Sequence, residues 1–475
     1  MNVLKGIEPE RVFYYFNEIS KIPHGSGNTK KISDFCVDFA IKQGLSYSQD
    51  EKNNVIIKKK KQGTLSDNTV IIQGHLDMVC EKEDGLPFDF ENDCLNLQVD
   101  DDFVFAKGTT LGADDGIAIA YALAILESKD IVHPDIEAVF TVDEEIGLLG
   151  ASFIDLSDLK GNLLLNIDSE EEGIFTVSCA GGATVKCSLP LEYEKASGTK
   201  YSVKIHNLKG GHSGAQIDKQ RANSNILASR ILFSLLSDYK INLVDIKGGL
   251  KDNAIPPLTE FSFYCDENVD NIIDLHFSDF KKEFKVADPD IMIEYEKVND
   301  TSLALTKDST FKAINMLMAL PNGIISMDME IKGLVKTSLN MGILRIFKER
   351  LEASYSVRSS SKSEKKALID KITSVANLSC ASIEISGEYS PWEYKSESYL
   401  RDAIKKAYNN LYNKEPEFKA IHAGLECGVL GEKIKNLDAI SFGPDMFDIH
   451  TPKERLSISS TKRTWDFIKE VLKNL

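Results

Sequence analysis

Histidine and acidic side chains follow four apolar runs of this sequence, at points where the chain would leave a β-strand. They are His75 and Asp77 after TVIIQ (69–73), Asp143, Glu144 and Glu145 after EAVFTV (137–142), Asp168 after NLLLNI (162–167), and Asp448 and His450 after LDAISFGP (437–444). One such residue is usually a surface or capping residue. Four coincidences favour a metal or catalytic site, because ligands of open α/β sheets bind beyond the carboxyl ends of the strands.

A further acidic pair, Asp114 and Asp115, opens a small-residue apolar helix predicted over 115–128. Acids before a helix are also what N-capping selects, so Asp115 can cap the helix while Asp114 points elsewhere. The whole set offers two imidazoles, several carboxylates and no thiolate, which suits one or two divalent ions such as Zn²⁺, Mn²⁺ or Co²⁺. A carboxylate can bridge two ions about 3.5–4 Å apart, and a spare acid can serve as general base.

The elements that must position these residues alternate between helix and strand. Helices are predicted over 9–22, 30–44 and 115–128, with β runs between them, and the same pattern returns from about residue 394. Between these two parts of the chain, glycine pairs separate β runs in which apolar and polar residues alternate. We predict an α/β catalytic domain (1–179 and 391–475) with a mostly parallel mixed sheet flanked by helices. It is interrupted by an inserted α+β lid domain (180–390), whose halves share an order of elements that suggests internal duplication.

Composition narrows the class of protein. The 475 residues are 42% apolar and 27% charged, as in multi-domain globular proteins, and the net charge of −17 argues against a nucleic-acid or anionic-membrane partner. The longest apolar stretch, 116–126, is about half of the ~20 residues of a spanning helix. Charges at the N-terminus replace the apolar core of a signal peptide, and eight cysteines without close pairs fit reduced thiols, so we expect a cytoplasmic protein.

Six segments of the sequence carry motifs that can be compared with known families. They are GHLDMVCEK (74–82), GTTLGADDGIAIA (108–120), DEEIGLLGA (143–151), NIDSEEEG (166–173), GGHSG (210–214) and HAGLECGVL (422–430). Together they resemble the bacterial cytosolic aminoacyl-histidine dipeptidases, or peptidase D, within the wider family of co-catalytic di-zinc metallopeptidases. The resemblance runs from 19–30 to the C-terminal helix. It implies metal-dependent hydrolysis of dipeptides, of Xaa-His type and broad specificity, with two Zn²⁺ (or Mn²⁺ or Co²⁺).

The resemblance assigns roles to residues of the catalytic domain. It implies that Glu144 is a general base, which takes a proton from a water held between the cations and later passes it to the leaving amine. Asp77 would orient a metal-binding imidazole, as the partners of metal histidines do. The implied ligands are His75 and Asp168 for one ion, Glu145 and His450 for the other, and Asp114 as the bridge.

In the lid domain, the resemblance implies that His212 stabilises the oxyanion of the tetrahedral intermediate. Asn253 and Arg358 match positions that bind the substrate backbone and its terminal carboxylate, and an arginine can bind a carboxylate in a two-pronged fork. A substrate-side motif is matched by His422, Gly424 and Glu426. His212 would serve its own chain if the lid is duplicated and a partner chain otherwise, so both a monomer and a homodimer stay open.

Two other readings remain open on the sequence. A tripeptidase or an N-acyl amino acid deacylase of the same family would share the metal centre and differ in the lid. A metal- or peptide-binding protein without activity could use the same scaffold, although such a protein would be expected to lack the base or a ligand. Here Glu144 and all five implied ligands are present.

Overall fold

A computed structural model describes residues 3–475, so the first two residues of the N-terminal segment discussed above lie outside the described residues. No helix in this range is long and apolar enough to cross a membrane. In chain order the helices are α1 Glu10–Ile19, α2 Lys30–Gln43, α3 Ala113–Glu127, α4 Leu149–Phe153, α5 Ser224–Asp238, α6 Asp270–Glu283, α7 Lys307–Ala319, α8 Lys362–Leu378, α9 Tyr399–Tyr412, α10 Glu426–Lys433 and α11 Ile458–Asn474.

The strands are short in the first part of the chain and longer in the middle. Three of them fall on the predicted β runs 69–73, 137–142 and 162–167. In chain order they are β1 Ser46–Gln49, β2 Val55–Lys59, β3 Thr69–His75, β4 Leu97–Asp100, β5 Phe103–Ala106, β6 Asp135–Thr141, β7 Leu163–Asn166, β8 Ile174–Cys179, β9 Gly181–Pro190, β10 Tyr193–His206, β11 Gly211–His212, β12 Ile241–Gly248, β13 Ala254–Ile255, β14 Thr259–Cys265, β15 Met292–Leu305, β16 Gly323–Met327, β17 Val335–Phe347, β18 Arg350–Ser359, β19 Ser382–Tyr389, β20 Glu417–Ile421, β21 Asp438–Ser441, β22 Met446–Phe447 and β23 Arg455–Ser457.

The first compact unit comprises residues 3–178, Tyr394–Ala420 and Leu425–Leu475. Its sheet has the order β1-β2-β6-β3-β7-β21-β8-β20, and the neighbours β6, β3, β7 and β21 are parallel. The outer pairs with β1, β2 and β8 are antiparallel. This is the mixed, centrally parallel sheet predicted from the alternation of helix and strand.

Helix α3 lies at the centre of this unit. Every residue from Ala113 to Leu126 is buried, because the helix carries no polar face, and α3 packs against α1 and β3. Helix α2 ends where Gly44 adopts the left-handed conformation (φ 66°) that glycine tolerates best. The helices predicted over 9–22, 30–44 and 115–128 are therefore confirmed to within a few residues.

The second compact unit comprises Cys179–Glu393 and Ile421–Gly424. Its sheet has the order β15-β10-β14-β12-β17-β18-β9-β19 with β16 beside β17, and its strand pairs are antiparallel. Helices α5 to α8 supply apolar side chains to the same core as these strands. The predicted α+β character of this part is confirmed, and its internal duplication stays a prediction.

The sequence-based division into 1–179 with 391–475 and 180–390 stays a prediction about domains. The compact units differ from it most at Ile421–Gly424, which groups with the second unit although its sequence neighbours on both sides belong to the first. Main-chain hydrogen bonds from Ala180 N to the carbonyl oxygens of Ile421 (3.2 Å) and Ala423 (3.0 Å) explain this grouping.

Candidate active site

Three predicted site segments leave neighbouring parallel strands at the same edge of the first unit's sheet. Strand β3 ends at His75, β6 ends two residues before Asp143, and β7 ends two residues before Asp168. Because β3 lies between β6 and β7 and is parallel to both, their carboxyl ends meet at one edge. The convergence expected from the sequence is present here.

The carboxylate of Asp114 lies between two imidazoles. Its Oδ1 is 3.1 Å from His75 Nε2 and its Oδ2 is 3.0 Å from His450 Nε2. Asp114 reaches this place because regular helical geometry begins only after Asp115, with Asp114 at φ −82° and ψ 101°. One side chain therefore faces two histidines that are 375 positions apart in the sequence.

Each histidine has a second carboxylate beside it. Asp168 Oδ1 is 3.7 Å from His75 Nε2, and Glu145 Oε1 is 2.9 Å from His450 Nε2. The five residues matched to metal ligands thus form two sets of three that share Asp114. Among the described residues, ligand atoms lie within 4.8 Å of one another in the groups His75, Asp114, Glu145 and His75, Asp115, Asp168.

The ring of His75 is oriented so that Nε2 faces the other ligand candidates. Its Nδ1 lies 2.9 Å from the main-chain oxygen of Asp77, which can only accept, so Nδ1 carries a proton. Although burial lowers the pKa of His75, the carboxylates of Asp114, Asp168 and Asp77 raise it well above its ordinary value, so a positive charge is favoured at this place. A divalent cation with nitrogen and oxygen ligands can supply that charge.

Burial makes this cluster costly without cations. Burial, with Asp114 and Glu145 nearby, raises the pKa of Asp168 to about 6 against the opposing effect of His75. Burial also raises the pKa of Glu144, and the negative charges of Asp168, Glu426 and Glu145 add to the rise. A bound cation favours charged carboxylates and offsets this cost.

The structure gives Asp77 a different set of contacts from those expected. Its carboxylate Oδ1 is 3.6 Å from His75 Nδ1, whereas its main-chain oxygen makes the shorter contact that orients the ring. The carboxylate instead accepts hydrogen bonds from Ser26 Oγ (2.8 Å) and from the main-chain nitrogens of Glu144 (3.0 Å) and Glu145 (3.4 Å). Asp77 therefore also fixes the turn that carries Glu144 and Glu145.

Asp115 does not cap helix α3, in contrast to the expectation. Gly112, which has no side chain, occupies the N-cap position. Asp115 is fully buried, and its Oδ2 accepts a hydrogen bond from the main-chain nitrogen of His75 at 3.1 Å. The sequence could not separate this position from a cap, because both require a carboxylate beside a helix start.

The residues matched to a substrate-binding lid gather within the second unit. His212 pairs with Ala254 between β11 and β13, and Ser213 N donates to Asn253 O at 2.9 Å. A Cβ at Gly214 would lie 2.7 Å from His422 O, 3.0 Å from His212 Cε1 and 3.1 Å from Arg358 Nε. The absence of a side chain at Gly214 therefore lets His212, His422 and Arg358 approach one another.

His212 and Arg358 have defined donor groups. The Nδ1 of His212 accepts from the main-chain nitrogens of Gly214 (3.2 Å) and Ala215 (3.0 Å), which leaves the proton on Nε2. Burial and the charge of Arg358 lower the pKa of His212, so the ring is a neutral donor. Arg358 Nη1 donates to Tyr389 Oη at 3.0 Å, a partner that no sequence motif indicated.

The segment HAGLECG is divided between the two units. His422 contacts Ser338 Oγ through Nε2 (2.7 Å), and Gly424 faces the Tyr389 ring so closely that a Cβ would lie 2.7 Å from it. Glu426 begins α10 in the first unit, where its fully buried carboxylate accepts from Gln73 Nε2 and from Thr141 Oγ1 (2.6 Å). Their contacts with substrate stay predictions.

Comparisons with known proteins show the family of this chain. The chain belongs to peptidase family M20/M25/M40, whose model matches residues 71–474. It is therefore a peptide hydrolase, and the predicted family is confirmed. It is 32% identical to the cytosol non-specific dipeptidase of Escherichia coli (strain K12), over 100% of this chain and 99% of that protein.

Solved structures share the fold. The crystal structure of the aminoacylhistidine dipeptidase from Vibrio alginolyticus matches with a TM-score of 0.93 and 33% identity, over 99% of this chain and 97% of that one. A tripeptidase from Staphylococcus aureus subsp. aureus Mu50 matches with a TM-score of 0.57 and 16% identity, over 98% of each chain. At that identity the likeness of the tripeptidase shows the fold alone.

Proposed function

We propose that this chain is a cytosolic, metal-dependent dipeptidase of broad specificity that includes Xaa-His substrates. One observation carries the proposal: a single carboxylate, Asp114, lies within about 3 Å of two histidines that each have a further carboxylate beside them. The substrate class and the location are supported by the names of the two relatives that match almost the full chain, a cytosol non-specific dipeptidase and an aminoacylhistidine dipeptidase.

The metal would be held by the two sets of three residues that share Asp114. His75 and Asp168 would form one side and His450 and Glu145 the other, and Zn²⁺ suits this mixture of imidazole and carboxylate, with Mn²⁺ or Co²⁺ as alternatives. When bound, such a pair of ions acidifies water and polarises the peptide carbonyl. The buried position of Asp114, 8% exposed, favours this function, because the three carboxylates of Asp114, Asp168 and Glu145 lie close together and need cations for charge balance.

Proton transfer in this proposal belongs to Glu144. Its carboxylate accepts the proton released when water attacks the peptide carbonyl, and it donates that proton to the nitrogen of the leaving amine as the C–N bond breaks. Asp77 supports this role, since its carboxylate accepts the main-chain N–H of Glu144 and sets the direction in which this residue leaves the turn.

Substrate binding belongs to the cluster in the second unit. The Nε2–H of His212 would donate to the carbonyl oxygen as it gains negative charge, as donors of an oxyanion hole do. Arg358 would bind the terminal carboxylate with its guanidinium, whose position is fixed by Tyr389. Asn253, His422, Gly424 and Glu426 would complete the substrate-binding surface, and the active form would be a monomer or a homodimer.

The test combines metal analysis with a panel of substrates. Freshly purified protein should contain close to two equivalents of Zn²⁺, Mn²⁺ or Co²⁺ by elemental analysis. It should hydrolyse several dipeptides, including Xaa-His, much faster than tripeptides or N-acetyl amino acids, and a chelator should abolish the activity until metal is restored. Preferential hydrolysis of tripeptides or N-acetyl amino acids, or full activity in the chelator, would contradict the proposal.

A further inference from the structure

Glu454 is a buried acid with no part in the proposed chemistry. It is 2% exposed, and its carboxylate accepts four consecutive main-chain N–H groups of the loop that leads into α3. Its Oε2 accepts from Leu111 (2.7 Å) and Gly112 (3.1 Å), and its Oε1 accepts from Ala113 (2.8 Å) and Asp114 (3.4 Å). The N–H groups of Ala113 and Asp114 belong to the first turn of α3, where main-chain donors have no partner within the helix.

The bonds of Glu454 join two loops that carry metal-ligand candidates. Glu454 lies four residues after His450, and its N–H donates to Thr451 O at 3.1 Å. Its carboxylate accepts hydrogen bonds from the main chain of Leu111 to Asp114. The 3.0 Å separation between Asp114 Oδ2 and His450 Nε2 is therefore supported by a second, main-chain connection between the same two segments.

A charged residue at this position is unfavourable for stability alone. Its carboxylate is almost completely buried and lies beside a second acidic residue, Asp114, whose main-chain N–H it accepts. Helix starts are usually capped by short, partly exposed side chains. A buried glutamate beside the acidic metal-ligand candidates therefore indicates that Glu454 serves the arrangement of those candidates and not the stability of helix α3.

We propose that Glu454 is a positioning residue that holds the Asp114 loop against the His450 loop, so that Asp114 can be shared between two cations. The inference rests on the proposed metal-dependent function. It predicts that loss of the carboxylate weakens metal binding, because partners of ligand-bearing segments typically change metal affinity by about 10- to 100-fold.

The experiment titrates metal into metal-free protein. Glu454→Gln is close in size but sets an NH₂ group against two of the four N–H donors. Glu137→Gln is the matched control, since Glu137 is also buried (4% exposed) and accepts N–H groups of Lys160 and Gly161, yet lies near the start of β6, at the opposite end from the site. Zn²⁺ affinity is measured by competition with a chromophoric chelator, the geometry by the absorption spectrum of the Co²⁺ form, and folding by circular dichroism.

We expect E454Q to fold without metal, to bind Zn²⁺ about 10- to 100-fold more weakly than the unaltered protein, and to show an altered Co²⁺ spectrum. E137Q should lower only the melting temperature. Equal Zn²⁺ affinity and an unchanged Co²⁺ spectrum in E454Q would overturn the inference alone, whereas absence of metal binding by the unaltered protein would overturn the proposed function.

If E454Q does not fold, Glu454→Asp, which keeps the charge on a side chain one methylene shorter, is titrated instead with the same expectation. If neither variant folds without metal while E137Q does, Glu454 is a stability element of α3 and the inference is wrong.

Discussion

Glu144 and Glu145 are adjacent residues on one turn with different surroundings. Glu145 lies 2.9 Å from His450, while Glu144 is surrounded by the charges of His75, Asp168 and Glu426. Both main-chain N–H groups of this turn are bound by the Asp77 carboxylate. The proposed division of this acidic pair into a ligand (Glu145) and a base (Glu144) would follow from how the turn is held.

Replacement of Glu144 by Gln should reduce kcat by about 10²- to 10⁴-fold, because the amide cannot accept the proton of the attacking water. Metal content should not change, since Glu144 is outside both sets of ligand candidates. Initial rates on several dipeptides and elemental analysis of the same sample measure the two effects. Retention of most of the activity would show that another group accepts the proton.

Replacement of Tyr389 by Phe should raise KM for dipeptides about 2- to 12-fold with little change in kcat, because one hydrogen bond to Arg358, of about 0.5–1.5 kcal/mol, is lost while the ring stays. Dipeptide amides, which lack the terminal carboxylate, should show no such change. Tyr412→Phe is the control, since its hydroxyl donates to Arg463 O (2.7 Å) in the first unit. An equal rise in KM for dipeptides and for their amides would contradict the proposal that Arg358 binds the terminal carboxylate.

At the scale of elements, the start of α8 shows how a helix is attached to the second unit's sheet. Glu364 lies in its first turn, and its Oε2 accepts from Ser326 Oγ (2.7 Å) and Thr337 Oγ1 (2.6 Å). Lys336 Nζ is 2.8 Å from Oε1. Although burial opposes ionisation, these contacts lower the pKa of Glu364 to about 2.

Glu364→Gln should lower the melting temperature by about 1–3 °C at pH 7, because a partly exposed ion pair contributes up to about 1 kcal/mol. A lowered pKa stabilises the fold fully above the unfolded value of 4.5, and this contribution is lost as the pH falls through about 2. The difference from the unaltered protein should therefore shrink below pH 4.5. Calorimetry between pH 7 and 3 measures this difference, with Glu384→Gln as control, because the side chain of Glu384 in β19 is 71% exposed. A difference in melting temperature that does not depend on pH would contradict the proposed ion pair.

The sequence predicted the site residues that directly follow a recognisable apolar strand. The positions of His75, Glu145 and Asp168 at one edge of the sheet could be predicted, because buried strands are recognisable as apolar runs. The carboxyl ends of neighbouring parallel strands then lie at the same edge. Asp115, Tyr389 and Glu454 could not be assigned their contacts, because their partners are main-chain groups or side chains distant in sequence. The same holds for Asp77, whose carboxylate binds a turn 67 residues further along the chain.

At the scale of the whole molecule, each unit has its own apolar core, and the five metal-ligand candidates all belong to the first. Composition and alternation of elements were enough to predict two kinds of architecture. The grouping of Ile421–Gly424 with the second unit was not predictable, because it depends on three main-chain atoms and no pattern of residue types marks it.

Removal of metal should therefore destabilise the first unit selectively. Cations bound to the folded state alone contribute about 2.7 kcal/mol at a concentration 100 times Kd. Hydrogen exchange after chelation should accelerate in segments around His75, Asp114, Glu145 and His450, whereas β14 and β17 of the second unit should exchange as before. Acceleration spread equally over both units would contradict this assignment of the metal to the first.

The order of segments along the chain has a consequence for biosynthesis. The first unit draws on three separated stretches, and His450 and Glu454 lie in the last of them, whereas nearly all of the second unit is one continuous stretch. In a nascent chain on the ribosome, the second unit can therefore fold before the last stretch of the first unit has been synthesised. Assembly of the proposed hydrolytic centre would thereby be postponed until the segment that carries His450 has been translated, and a chain that stops before this segment would not act on peptides.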